Sequence, residues 1–189
     1  MNSKEYWNNN YLSYWKDKVD EANKDNGIYI NSGDVKTSGD NILKLLIDEL
    51  NIEDGSSVLD LGCEFCRAYP LLNEQSKYYG CDISEEMIHE AKNNFPELID
   101  KLTVSEVETL PYGDNYFDVC LCFGVFDALY QEEALMEMLR VLKINGKILL
   151  TGKNTSYKLD NDKAYIAEIR AREKMHPNYF TDERKCRSS

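Results

Sequence analysis

One stretch constrains this chain more than any other: Val58-Leu59-Asp60-Leu61-Gly62-Cys63-Glu64-Phe65-Cys66-Arg67. An apolar run with one embedded acid stops at a glycine, and a helical pattern is expected to follow. A buried strand that turns tightly into a helix belongs in a parallel sheet covered on both faces. Asp60 then lies near the carboxyl end of that strand, where open α/β sheets bind ligands. A second short run, Tyr78-Tyr79-Gly80-Cys81, ends in Asp82 about twenty residues on. In a βαβ nucleoside site, an acid at that point accepts hydrogen bonds from ribose hydroxyls.

The rest of the chain alternates in the same way. Asp40 is suited to cap a helix over 41–50, with Ile42, Leu46 and Leu50 on one face. The crossover after the glycine turn predicts a helix over 67–75, starting near Tyr69 because Pro70 fits only a first turn. Ser84 is an N-cap with Glu85 and Glu86 behind it, and Pro96 ends that helix. Leu102-Thr103-Val104 reads as a third strand and Asp118 to Phe123 as a fourth, with Val119, Leu121 and Phe123 opposite Cys120 and Cys122. A helix over Gln131 to Lys143, a turn at Asn145-Gly146 and a fifth strand over Lys147 to Thr151 complete the pattern. The fold class is therefore α/β: a doubly wound, mostly parallel sheet flanked by helices.

The flanks are of another kind. Residues 1–39 hold an aromatic helix over 4–20, with Trp7, Tyr11, Tyr14, Trp15 and Val19 on one face, and then a polar loop. That helix is expected to pack on the sheet or to lie over the site as a lid. Lys36 in the loop is a candidate contact for substrate or cofactor. Residues 40–152 form the core. Residues 153–189 leave room for one helix, about 161–174, and a tail. No further strand pair fits there, so the fifth strand is expected to be an exposed edge, open to pairing in a homodimer.

Charge narrows the partners. The 34 acids against 22 bases give a net charge of −12. Such a surface repels phosphate backbones and anionic membrane, so neither nucleic acid nor membrane is an expected partner. No apolar run reaches membrane-spanning length, and the N-terminus lacks the apolar core of a signal peptide, so a cytoplasmic location is expected. The six cysteines are then expected to be reduced.

Four segments carry a family resemblance. Val58 to Cys66 resembles the first motif of class I S-adenosylmethionine-dependent methyltransferases. Gly80-Cys81-Asp82-Ile83-Ser84 with Met87, Ile88 and Ala91 resembles the second. Glu106-Val107-Glu108-Thr109-Leu110-Pro111 with Asp114, Phe117 and Asp118 resembles the third. Arg140-Val141-Leu142-Lys143 with Gly146 resembles the turn before the fifth strand. The segments occur in family order between about Ile42 and Gly152. The resemblance implies a Rossmann-like core; the family normally closes its sheet with a C-terminal antiparallel hairpin, which is expected to be missing here because no two further strands fit after residue 152. It also implies S-adenosyl-L-methionine as cofactor and transfer of its methyl group to a small-molecule acceptor.

The same resemblance implies roles for particular residues. Asp60 would orient the loop and reach the cofactor's amino group, while the backbone at Gly62 and Cys63 holds the methionine portion. Asp82 would bind the ribose hydroxyls, and Ile83 would cover adenine. Glu106 and the Val107 amide would meet the adenine edge, with Glu108 competing for the place of Glu106. Phe123 would line the pocket into which the methyl points. No catalytic base is singled out; Asp127 and Tyr130 are the candidates, and Asp127 could equally cap a helix. Two family glycines are replaced, by Glu64 and Cys66, and Glu64 brings bulk and charge near the expected cofactor carboxylate. Weakened cofactor binding is expected from that change, and a non-catalytic binding domain is the main alternative. Cys63 and Cys66 also form a C-x-x-C pair, so a dithiol redox centre is a second alternative. Zinc held among Cys63, Cys66, Cys81, Cys120 and Cys122 is a weaker reading, and no metal site is assigned.

Overall fold

The computed structural model describes residues 4, 5, 7, 8 and 39–152. Most of the N-terminal helix, Lys36 and its loop, the helix expected over 161–174 and the question of a C-terminal hairpin lie outside the described residues.

Helix α1 (Gly39–Glu49) leads into β1 (Ser57–Leu61), β2 (Lys77–Asp82), α2 (Glu85–Asn94), β3 (Leu102–Val104), β4 (Phe117–Cys122), α3 (Gln131–Val141) and β5 (Leu142–Leu150). The sheet order is β3-β2-β1-β4-β5, and all four pairings are parallel. The chain winds outward from β1 in one direction and then from β4 in the other. The crevice of such a sheet opens where that order reverses, outside the carboxyl ends of β1 and β4.

Alternation along the strands divides the core. Val58, Tyr78, Val119 and Leu121 pack on one face with Leu43 and Ile47 of α1 and Met87, Ile88 and Ala91 of α2. Leu59, Leu61, Cys81, Phe117, Cys120 and Cys122 pack on the other with Met138 and Val141 of α3. Each fully buried aliphatic or aromatic side chain contributes roughly 1.5–3 kcal/mol, so a strand such as β1 is held from both sides. The strand cysteines serve here as small core hydrophobes.

Three expectations are corrected. The helix over 67–75 does not form; the crossover from β1 is a run of turns with one 3-10 turn at Tyr69–Leu71. Cys66 takes a left-handed φ of 68°, which interrupts the helical run. Pro70 then removes an N–H and crowds the carbonyl four residues back. The fifth strand starts earlier than expected, at Leu142, and the Asn145-Gly146 turn is a bulge within it, between the Phe117–Leu142 and Val119–Lys147 pairings. Helix α3 accordingly stops at Val141 instead of Lys143. Lys143 in the bulge donates to both Asp118 oxygens at 2.9 Å, and Asp118 also accepts the Ser57 N–H at 2.8 Å. Strand β5 is the edge on its side among the described strands.

Arg140, in the last turn of α3, fixes the loop that enters β4. Its Nε and Nη2 form a fork with the Glu137 carboxylate at 2.8 and 2.7 Å. Nη1 reaches the Tyr112 carbonyl and Asp114 at 2.8 Å each, and Nη2 the Leu110 carbonyl at 3.1 Å. Glu137 also accepts the Leu110 N–H at 2.9 Å. Arg140→Ala strips several charge-assisted bonds at once and should cost about 2–3 kcal/mol in urea unfolding. Arg140→Lys should recover less than half of that, because lysine has no planar fork. Full recovery by lysine would show that charge alone matters at this position.

Candidate active site at the carboxyl ends of the strands

The turn after β1 has an unusual backbone. Gly62, Glu64 and Cys66 all have left-handed φ, at 66°, 52° and 68°. For the two non-glycine residues that conformation costs about 1–2 kcal/mol each. Hydrogen bonds hold it in place: Cys63 N–H to the Cys81 carbonyl at 2.9 Å, Glu64 N–H to Asp82 Oδ2 at 3.0 Å, and Cys66 N–H to the Cys63 carbonyl at 2.8 Å. Gly62 is required for space as well, since a Cβ there would lie 2.6 Å from Val125 Cγ2.

Asp82, at the tip of β2, ties this turn to the next helix. Its Oδ2 takes the Glu64 N–H, and its Oδ1 takes the Ser84 N–H at 2.9 Å. Burial raises the Asp82 carboxyl, opposed by the N–H groups of Ser84, Glu64 and Ile83. Ser84 caps α2 through the Met87 N–H at 3.3 Å. Lys4 pairs with Glu85 in the first turn of α2 at 2.6 Å, which brings the N-terminal segment to the rim.

A cavity of about 400 Å³ opens between these elements. Gly62, Asp82, Ile83, Glu106, Val107 and Tyr130 line it, as do Trp7, Glu64 and Glu108. Glu108 accepts the Tyr130 N–H at 2.8 Å, while Glu106 keeps an exposed side chain. Val125, Ala128 and Leu129 add an apolar wall after β4.

The remaining candidates lie elsewhere. Asp60 and its neighbours Cys63 and Phe123 line a separate small pocket of about 10 Å³. Asp60 accepts the Tyr78 hydroxyl at 2.7 Å. Burial pushes its carboxyl up to about 6, against the Tyr78 bond and the Arg67 charge. The Arg67 guanidinium stands 5.5 Å from the centre of the Phe123 ring, so Phe123 is covered by a cation and does not line the large cavity. Asp127 is buried in the 3-10 turn Phe126–Ala128 and does not line the cavity either. It does not cap α3, whose N-cap is Tyr130.

Sequence reasoning missed Ser84 as a wall residue, as well as Met87, Ser105 and the turn after β4. A cap serine next to the strand-tip acid was the available signal. The redox reading is not favoured: a hydrogen bond with Cys66, burial and the Asp60 and Asp82 charges push the Cys63 thiol well above its ordinary value. A reactive dithiol needs the opposite shift. Among the described residues no group of three or more His, Cys, Asp or Glu is placed to hold a metal ion. No helix among the described residues is long and apolar enough to cross a membrane.

Residues 59–150 match a family model described as a methyltransferase domain. The chain is 32% identical over 111 residues to the ubiquinone/menaquinone biosynthesis C-methyltransferase UbiE of Bordetella avium, a match covering 55% of this chain and 43% of that protein. It is 34% identical over 122 residues to the protein of that name from Yersinia enterocolitica, covering 57% of this chain and 46% of the relative. The chain thus spans just under half the length of these curated relatives. Among solved structures, the YcgJ protein from Bacillus subtilis superposes with a TM-score of 0.60 at 21% identity, covering 77% of this chain and 64% of that one. That likeness establishes the fold.

Proposed function

Residues 59–150 belong to the class I S-adenosylmethionine-dependent methyltransferase family, and from that premise we propose that the 400 Å³ cavity binds the cofactor's nucleoside and directs its methyl group to a small-molecule acceptor. When bound, the cofactor supplies an electrophilic methyl on a sulfonium; the chain supplies position and surroundings. One observation carries the reading: Asp82, a buried acid at the tip of β2, faces a cavity of ligand size beside apolar Ile83 and Met87.

The residues present suit the nucleoside half. Asp82 would accept the ribose hydroxyls while keeping its two backbone donors, since a carboxylate has about four acceptor positions. Ile83 and Met87 offer apolar contact for the base, and Glu106 an acceptor for its amino group. Glu108 is less suited to that contact, being engaged by Tyr130. Trp7, Leu129 and Tyr130 favour a partly apolar acceptor and exclude water from it. Among the described residues the cavity wall holds no Lys, Arg or His. That favours neutral or cationic acceptors over phosphorylated ones. The curated relatives are named as C-methyltransferases. With under half of their length matched, only the small-molecule class is carried to this chain. The edge of β5, outermost among the described strands, is the surface through which a second copy would pair.

Equilibrium binding tests the proposal. Adenosine and S-adenosylmethionine should each bind with a dissociation constant of about 1 mM or lower, seen by calorimetry. Methyl-labelled cofactor should pass its label to the low-molecular-weight fraction of a deproteinised extract. Absence of nucleoside binding at about ten times that concentration would remove the reading.

A further inference from the structure

The cavity and the turn beside it are mismatched to one end of the cofactor. An amino-acid carboxylate needs N–H donors, a cation or a helix N-terminus. Three of the turn's donors are committed: Cys63 N–H to Cys81, Glu64 N–H to Asp82 and Cys66 N–H to Cys63. Around the cavity the N–H groups of Ser84, Gly124 and Tyr130 are bound to Asp82, Thr151 and Glu108. No α-helix begins after the turn, so the crossover offers no aligned helix dipole. The turn's own cation, Arg67, lines the small pocket, 4.0 Å from Glu64 Oε2. The cavity wall carries Glu64, Asp82, Glu106 and Glu108, and no basic side chain among the described residues.

We propose that this nucleoside site disfavours a carboxylate without shutting it out. It takes adenosine nucleosides with a neutral or cationic 5′ substituent in preference to those ending in an amino-acid carboxylate, and Glu64 sets that preference. The inference rests on the nucleoside reading of the cavity and names the class of nucleoside it selects. Glu64 stands in the wall of both the large cavity and the small pocket. A carboxylate arm reaching from one toward the other meets a like charge in partly desolvated surroundings, where repulsion is several times stronger than in water.

Two ligands of equal net charge separate this from simple attraction of cations. 5′-Methylthioadenosine is neutral, and S-adenosylhomocysteine is a zwitterion carrying the amino-acid arm. Calorimetry on the full chain should find 5′-methylthioadenosine binding at least as tightly as S-adenosylhomocysteine, even though it is smaller. Tighter binding of S-adenosylhomocysteine than of 5′-methylthioadenosine overturns the proposal. Glu64→Gln retains the turn's backbone demands and removes the charge. It should tighten S-adenosylhomocysteine by about threefold or more and leave 5′-methylthioadenosine within about twofold. An unchanged ratio removes Glu64 from the account. If adenosine and 5′-methylthioadenosine both fail to bind, the nucleoside reading itself falls, and this inference falls with it. If they bind but S-adenosylhomocysteine binds better, only this inference falls.

Discussion

Replacing Asp82 by alanine should cost the protein about 2–4 kcal/mol of stability and nearly all of its affinity for adenosine. The stability loss comes from the N–H groups of Glu64 and Ser84, which the carboxylate accepts at 3.0 and 2.9 Å. Each donor left without an acceptor away from water costs about 1–3 kcal/mol. The affinity loss comes from the same side chain, because it lines the cavity. Asp82→Asn separates the two effects. Its single carbonyl oxygen can serve one N–H, and its amide presents donors where acceptors were needed. Stability should be partly recovered, and adenosine binding should stay at least about a hundredfold weaker than in the parent protein. Denaturant unfolding and calorimetry read the two quantities. An alanine variant as stable as the parent would mean that the turn holds its left-handed residues without Asp82.

Replacing Asp60 by asparagine should have the opposite sign. Burial raises the Asp60 carboxyl from 3.8 to about 6. The folded chain therefore binds more protons than the unfolded chain between those values. Stability falls as pH rises through that window, and the full cost, about 3 kcal/mol, persists above it. The asparagine side chain would still accept the Tyr78 hydroxyl and would carry no charge. The Asp60→Asn variant should be more stable than the parent by about 1–3 kcal/mol at pH 8, with the gap closing by about pH 4. Loss of the Arg67 attraction sets the lower end of that range. A gap that does not change with pH would show that Asp60 titrates alike in the folded and unfolded chains, so that burial does not raise its carboxyl.

The sheet was legible because its signals are local. Strand β3 appears where Leu102-Thr103-Val104 was expected, and the two faces of β4 alternate as the sequence of Val119 to Cys122 implies. Helix α2 begins behind Ser84 because cap and acids are adjacent in the chain. The crossover after β1 was misread because its outcome depends on a partner eighteen residues away. Asp82 fixes Glu64 through the backbone, the left-handed Cys66 follows, and the helix is lost. The surroundings of Asp60 were hidden for a similar reason. Nothing in the run Val58 to Leu61 announces that the Tyr78 hydroxyl will donate to its carboxylate, or that Asp60 will line the small pocket. Asp60 and Asp82 do share one end of the sheet, on paired strands, as expected from their spacing. Phe123 was placed on the correct face of β4, with Val119 and Leu121, but its ring was claimed by Arg67.

The three left-handed residues of the first turn carry a lesson for recognising such crossovers. Two of them have side chains, yet the path of the chain survives, because acceptors on the neighbouring strand dictate it. Small residues are thus one way to permit this bend, and a scaffold of fixed acceptors is another. A search for related crossovers that scores the acid on the second strand, and tolerates bulk in the first turn, should recover proteins that a glycine-based pattern discards.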